Sequence, residues 1–96
     1  MLSNRYIHAL SQLTTRFDPT GSNRYFIFGS ATRNDRFGDV DIGVVGNRAT
    51  KKNLDALREL CEDSILPYSV DVVDFDSAAP YFSERVMAEE PIVWLH

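Results

Sequence analysis

The stretch Arg24–Val45, RYFIFGSATRNDRFGDVDIGVV, decides how the chain is read. It opens with a short aromatic and β-branched run, Tyr25–Phe28, which has the profile of a buried strand. Gly29 and Ser30 then break the run. Glycine lets the backbone turn sharply and lets a ligand approach the main chain, while serine adds a hydroxyl and an amide at what reads as the start of a helical turn. After the polar loop Ala31–Gly38, a second strand is predicted over Asp39–Val45, closed by Gly46 and Asn47. Strand side chains alternate between faces, so Asp39 and Asp41 point one way and Val40, Ile42 and Val44 the other. Two carboxylates on one face with Cα atoms about 6.5 to 7 Å apart repel each other unless a cation lies between them, and a divalent metal is the natural candidate. Aspartate is also depleted in strands, and such a conflict with local preference tends to mark function. The competing reading is a solvent-facing strand end and an ordinary turn.

Working outward, Leu2, Tyr6, Ala9, Leu10, Leu13 and Phe17 recur at helical intervals, and Asp18-Pro19 with Gly21 ends that helix. His8 lies off the stripe and reads as a surface residue. On the other side, Leu54, Leu57, Leu60, Cys61 and Ile65 predict a helix capped near Thr50 or Asn53 and stopped before Pro67. Lys51 and Lys52 in its first turn oppose the helix dipole, so they face either solvent or an anionic ligand. A third strand is predicted over Tyr68–Phe75, with Val70 and Val72 on one face and Asp71 and Val73 on the other. Asp71 sits among β-branched residues, where an ionised carboxylate is expensive unless paired or metal-bound, and it becomes the candidate third acid. Asp74 and Asp76 read as strand-end or helix-start residues. A last helix over Pro80–Glu89, turning Phe82, Val86 and Ala79 inward, and a closing strand Ile92–Leu95 after Pro91 complete the chain.

This order predicts an α/β (α+β) fold, a small mixed β-sheet flanked by helices. Ninety-six residues without a linker or repeat read as one domain over 1–96. The composition, 44% hydrophobic and 25% charged, is that of a globular chain, and the net charge of −4 disfavours a nucleic-acid partner. The lone Cys61 cannot form an internal disulfide and reads as a small core residue. No run has the roughly 20 apolar residues of a membrane span, and a signal peptide is not evident, so a cytoplasmic protein is expected.

Gly29-Ser30, then Asp39-Val40-Asp41, then Asp71 on a following strand, resembles the signature of the minimal nucleotidyltransferases (MNT) of the DNA polymerase β superfamily. The resemblance extends over nearly the whole chain and includes the closing helix and strand. Eight residues separate Ser30 from Asp39, a shorter loop than the family pattern commonly has, and Gly38 stands where a serine is frequent. The resemblance implies a nucleotidyltransferase fold and an ATP-binding turn at Gly29 and Ser30. It also implies two Mg²⁺ ions held by Asp39, Asp41 and Asp71, with Asp71 helping to activate the attacking hydroxyl. Arg33 and Arg36 are candidate phosphate contacts in the loop. The chemistry suits these residue types, because Mg²⁺ takes carboxylate and phosphate oxygens and stabilises an in-line displacement at phosphorus. MNT proteins are commonly antitoxins that attach AMP to a HEPN-domain toxin. The resemblance therefore implies such a toxin as partner, AMPylated on a tyrosine, in a homo- or hetero-oligomer. The alternatives are a non-catalytic module that only neutralises its partner, a transferase acting on a small molecule such as an aminoglycoside, and a purely structural domain.

Overall fold

A computed structural model of the chain describes residues 2–33, 38–46, 53–77, 80–89 and 91–95, with the side chain of Glu89 excluded. The readings placed on Arg36, Asn47, Thr50, Lys51, Lys52 and Ala79 lie outside these residues.

Helix α1 spans Asn4–Phe17; of the predicted stripe it buries Leu10 and Leu13 and half-buries Tyr6, Ala9 and Phe17, and Thr14, outside that stripe, is buried too. Leu2 is buried as well but lies ahead of the helix, where its N–H donates to the Ala31 carbonyl at 2.7 Å. The helix stops at Asp18, before Pro19, and the Asp18 carboxylate organises the turn that follows. It accepts hydrogen bonds from the backbone N–H of Asn23 (2.9 Å) and Ser22 (3.2 Å) and from the Tyr25 hydroxyl (3.0 Å). Burial alone would push this carboxyl up, but the N–H groups of Asn23 and Ser22 and the hydroxyls of Tyr25 and Thr20 outweigh it and hold it below the usual carboxylate range. Burial, with Asp18 beside it, in turn holds the Tyr25 hydroxyl well above its usual value, so it stays protonated as a donor.

Strand β1 (Asn23–Phe28) runs two residues further back than its aromatic core predicts, because Asn23 and Arg24 still pair with Gly46 and Val45. Strand β2 (Asp39–Gly46) pairs antiparallel with β1, and strand β3 (Ser69–Asp74) pairs parallel with β2. A parallel neighbour requires a crossover, which α2 (Leu54–Glu62) supplies. Helix α3 (Pro80–Glu89) follows, and the short strand β4 (Val93–Trp94) pairs antiparallel with β1, giving the sheet order β3-β2-β1-β4. The mixed four-stranded sheet with its helices bears out the predicted fold class. Other boundaries also differ from expectation, and β3 is one residue shorter at each end than Tyr68–Phe75. The closing strand is shorter than Ile92–Leu95, and α2 ends before Ile65, which is 61% exposed while Leu66 takes the buried place.

The sheet has two packed faces. Tyr25, Ile27, Val40, Ile42, Val44 and Val70 form the larger core with Leu10 and Leu13 of α1 and Leu57 and Cys61 of α2. Cys61 is fully buried, and burial, with a smaller push from Glu62, raises its thiol to about 11, an inert core residue as expected. The opposite face carries Phe26, Phe28 and Phe75, closed by Val86 of α3 and flanked by Trp94. Gly43 makes this aromatic layer possible: a Cβ there would run into the Phe26 ring. Among the described residues, no helix is long and apolar enough to cross a membrane.

Candidate active site

The pleat of β2 turns Val40, Ile42 and Val44 into the main core, so Asp39 and Asp41 fall on the aromatic face. Ladder register then brings the third acid alongside. Asp41 is the direct partner of Asp71 in the parallel β2–β3 pair, and directly paired residues of neighbouring strands project to the same face about 4.8 Å apart. On the other side, Asp41 is the partner of Phe28, the last residue of β1. One row therefore crosses the sheet as Phe28, Asp41, Asp71, with Asp39 one pleat further along β2.

The glycine corner closes over the same row. Immediately after Phe28, residues Gly29–Thr32 form a single 3-10 turn. Gly29 adopts φ +80°, a left-handed conformation that suits glycine, and a Cβ at this position would lie 2.6 Å from Asp41 Oδ2. The turn thus rests directly against the Asp41 carboxylate, and only glycine allows that approach. Ser30 is partly exposed on the turn. Arg33, at its end, is exposed and donates its N–H to the Ser30 carbonyl at 3.2 Å.

Asp39 and Asp71 are exposed and Asp41 is half-buried. Asp71 is not the carboxylate forced into a buried strand that its β-branched neighbours predict: β3 is an edge strand, and the Asp71 side chain is exposed. Its position is still that of the expected third acid. Among the described residues, no three His, Cys, Asp or Glu side chains close into a ready-made metal cage. The row is instead an open set of hard oxygen donors. Carboxylate oxygens are the donor type that a hard divalent cation takes together with substrate phosphates and waters.

The neighbouring acids do other work. Asp74 caps the turn after β3, accepting from the N–H of Asp76 (3.0 Å) and the hydroxyl of Ser77 (2.8 Å), and Asp76 accepts from the Gly46 N–H at 3.1 Å. Asp74 is the last residue of β3 and Asp76 lies in the turn beyond it, so Asp74 takes the strand-end place of the two that the sequence allowed. His8 is exposed on α1, as expected.

Sequence reading missed two contributors. Thr32 is buried, and its hydroxyl donates to the Gly29 carbonyl at 2.7 Å, which pins the corner from behind. A threonine three residues after a turn glycine has the spacing for that bond, but nothing in the sequence distinguishes it from any polar loop residue. Phe28 is the other: it reads as core and is also the neighbour of Asp41.

No curated protein matches the chain. A family model described as polymerase beta nucleotidyltransferase matches residues 22–95, a span that contains the glycine corner, all three acids and all four strands. On that match, with a glycine corner seated against an acid row on a four-stranded mixed sheet, the chain belongs to the polymerase beta nucleotidyltransferase family.

Proposed function

We propose that this protein transfers AMP from ATP to a hydroxyl on a partner macromolecule, a tyrosine of a cognate HEPN-domain toxin, and so acts as the antitoxin of an MNT type. The family supports nucleotidyl transfer in general. The observation that carries the site assignment is the register pairing of Asp41 with Asp71 under the Gly29 corner.

In this reading the Gly29-Ser30 turn holds the triphosphate, with Arg33 at its rim. Asp39, Asp41 and Asp71 would hold Mg²⁺, which when bound neutralises charge at the phosphorus and the leaving group. The acceptor oxygen attacks the α-phosphorus, the bond to pyrophosphate breaks, and Asp71 orients the acceptor hydroxyl as its proton leaves for solvent. Pyrophosphate departs with the displaced electron pair. Asp71 suits that role because it stands on the edge strand, where a bulky acceptor can reach it. A protein acceptor is favoured over a small molecule because the acid row is open rather than roofed by further chain among the described residues. We place this chemistry in the cytoplasm, where ATP and such a toxin meet.

Co-purification with the candidate toxin, followed by intact-mass analysis after incubation with ATP and Mg²⁺, tests the reading. Mass increments of AMP on the toxin are expected. A partner that is bound and neutralised without any such increment would instead support the same fold as a non-catalytic neutralising module.

A further inference from the structure

The aromatic face of the sheet ends in a ring that its helix does not bury. Phe82 and Val86 are four residues apart on α3 and therefore share one stripe. Val86 is buried at 5% exposure against Phe26, Phe28 and Phe75, whereas Phe82 remains 41% exposed. The Phe82 ring is nevertheless braced. Its centroid lies 5.7 Å from Phe75 and 6.4 Å from Phe28, edge-on to the latter. Phe28 in turn is the ladder partner of Asp41 and leads directly into the Gly29 corner. Phe82 thus overhangs the aromatic floor one side chain away from the acid row, on the same face of the sheet.

We propose that Phe82 is the stacking platform for the base of the nucleotide bound at this row, an inference that rests on the nucleotidyl-transfer reading above. A nucleoside triphosphate whose phosphates lie at the glycine corner and the acids carries its base one sugar away from the α-phosphate. Beside Asp41 on the β1 side, the row passes from carboxylate to the buried ring of Phe28, and the exposed ring that leans on Phe28 is Phe82. That order of charge then ring matches the order of phosphate then base along the ligand. A ring held by Phe28 and Phe75 loses little freedom when a base stacks on it, which favours binding. Stacking offers a π-face to any base, so the platform supplies affinity for the nucleoside half of the ligand and little choice among bases.

The test measures binding of a nonhydrolysable ATP analogue and of inorganic tripolyphosphate, both with Mg²⁺, to the full chain and to two variants. Phe82→Leu keeps apolar volume against Phe28 and Phe75 but removes the π-face, and Phe82→Trp enlarges it. The proposal expects Phe82→Leu to weaken the ATP analogue by about tenfold while leaving tripolyphosphate unchanged, and Phe82→Trp to match or exceed the wild type. It is overturned if Phe82→Leu binds the analogue as the wild type does, or if both ligands weaken in parallel. Loss of toxin capture by Phe82→Leu with analogue affinity intact also overturns it, and assigns the ring to protein docking. A wild-type chain that binds neither ligand would refute the nucleotidyl-transfer reading itself, a result distinct from all of these.

Discussion

At Gly29 two requirements meet in one residue. The backbone runs at φ +80°, and the absent Cβ leaves room for Asp41 Oδ2, so Gly29→Ala should both strain the corner and displace the acid. The left-handed conformation alone costs about 1 to 2 kcal/mol for a residue with a side chain. A loss of that size in denaturant unfolding is expected, accompanied by loss of Mg²⁺-dependent nucleotide binding. Asp39 behaves in the opposite way. It is exposed and sits beside two like charges, so Asp39→Asn should leave Tm unchanged or slightly raised while transfer from ATP disappears. Asp18 makes a third, purely structural case. Its carboxyl is held below the ordinary range in the folded chain, so its ionised form contributes stability above the unfolded value of 3.8. That contribution is lost as pH falls through the lower folded value. Asp18→Ala should therefore destabilise by about 1 to 3 kcal/mol at neutral pH, and the gap between variant and wild type should narrow in acid-unfolding curves only below pH 3.8. At this scale the sequence was partly legible. The Asp-x-Asp spacing and the Gly-Ser break could be read directly, because strand alternation fixes which side chains share a face. The hydrogen bonds of Asp18 and Thr32 could not, since they depend on chain segments brought together only by the fold.

Elements were legible where one period dominates. The 3.6-residue stripe of α1 and the Val/Ile run of β2 each point to one core, and both lie where predicted. Ends were less so. Ile65 continues the α2 stripe in sequence, yet the helix stops at Glu62 and Leu66 is buried in its stead, because a turn after Asp63 redirects the chain toward β3. The exposure of Asp71 was misread for a related reason: burial of a strand depends on its place in the sheet, and β3 lies at the edge. The aromatic layer gives an element-scale prediction. Phe26 lies across Gly43, so Gly43→Ala overpacks the β1–β2 pair and should destabilise by about 1 to 3 kcal/mol. The double variant Gly43→Ala, Phe26→Leu should recover part of that loss in the same unfolding measurement, since the two side chains compete for one space. Purely additive losses would mean that the Phe26 ring is not what excludes the Cβ.

For the molecule as a whole, topology converts local signals into a site. The antiparallel β1–β2 pair sets the glycine corner next to Asp41, and the parallel β2–β3 pair sets Asp71 beside it, so residues far apart in sequence meet on one edge of the aromatic face. Neither pairing is visible in the sequence without the register. The most direct measurement is calorimetric titration of a nonhydrolysable ATP analogue with and without Mg²⁺, on the wild type and on Asp39→Asn. The account predicts Mg²⁺-dependent binding by the wild type and its loss in a variant that remains folded by circular dichroism. Equal binding by both proteins, or binding indifferent to Mg²⁺, would contradict it.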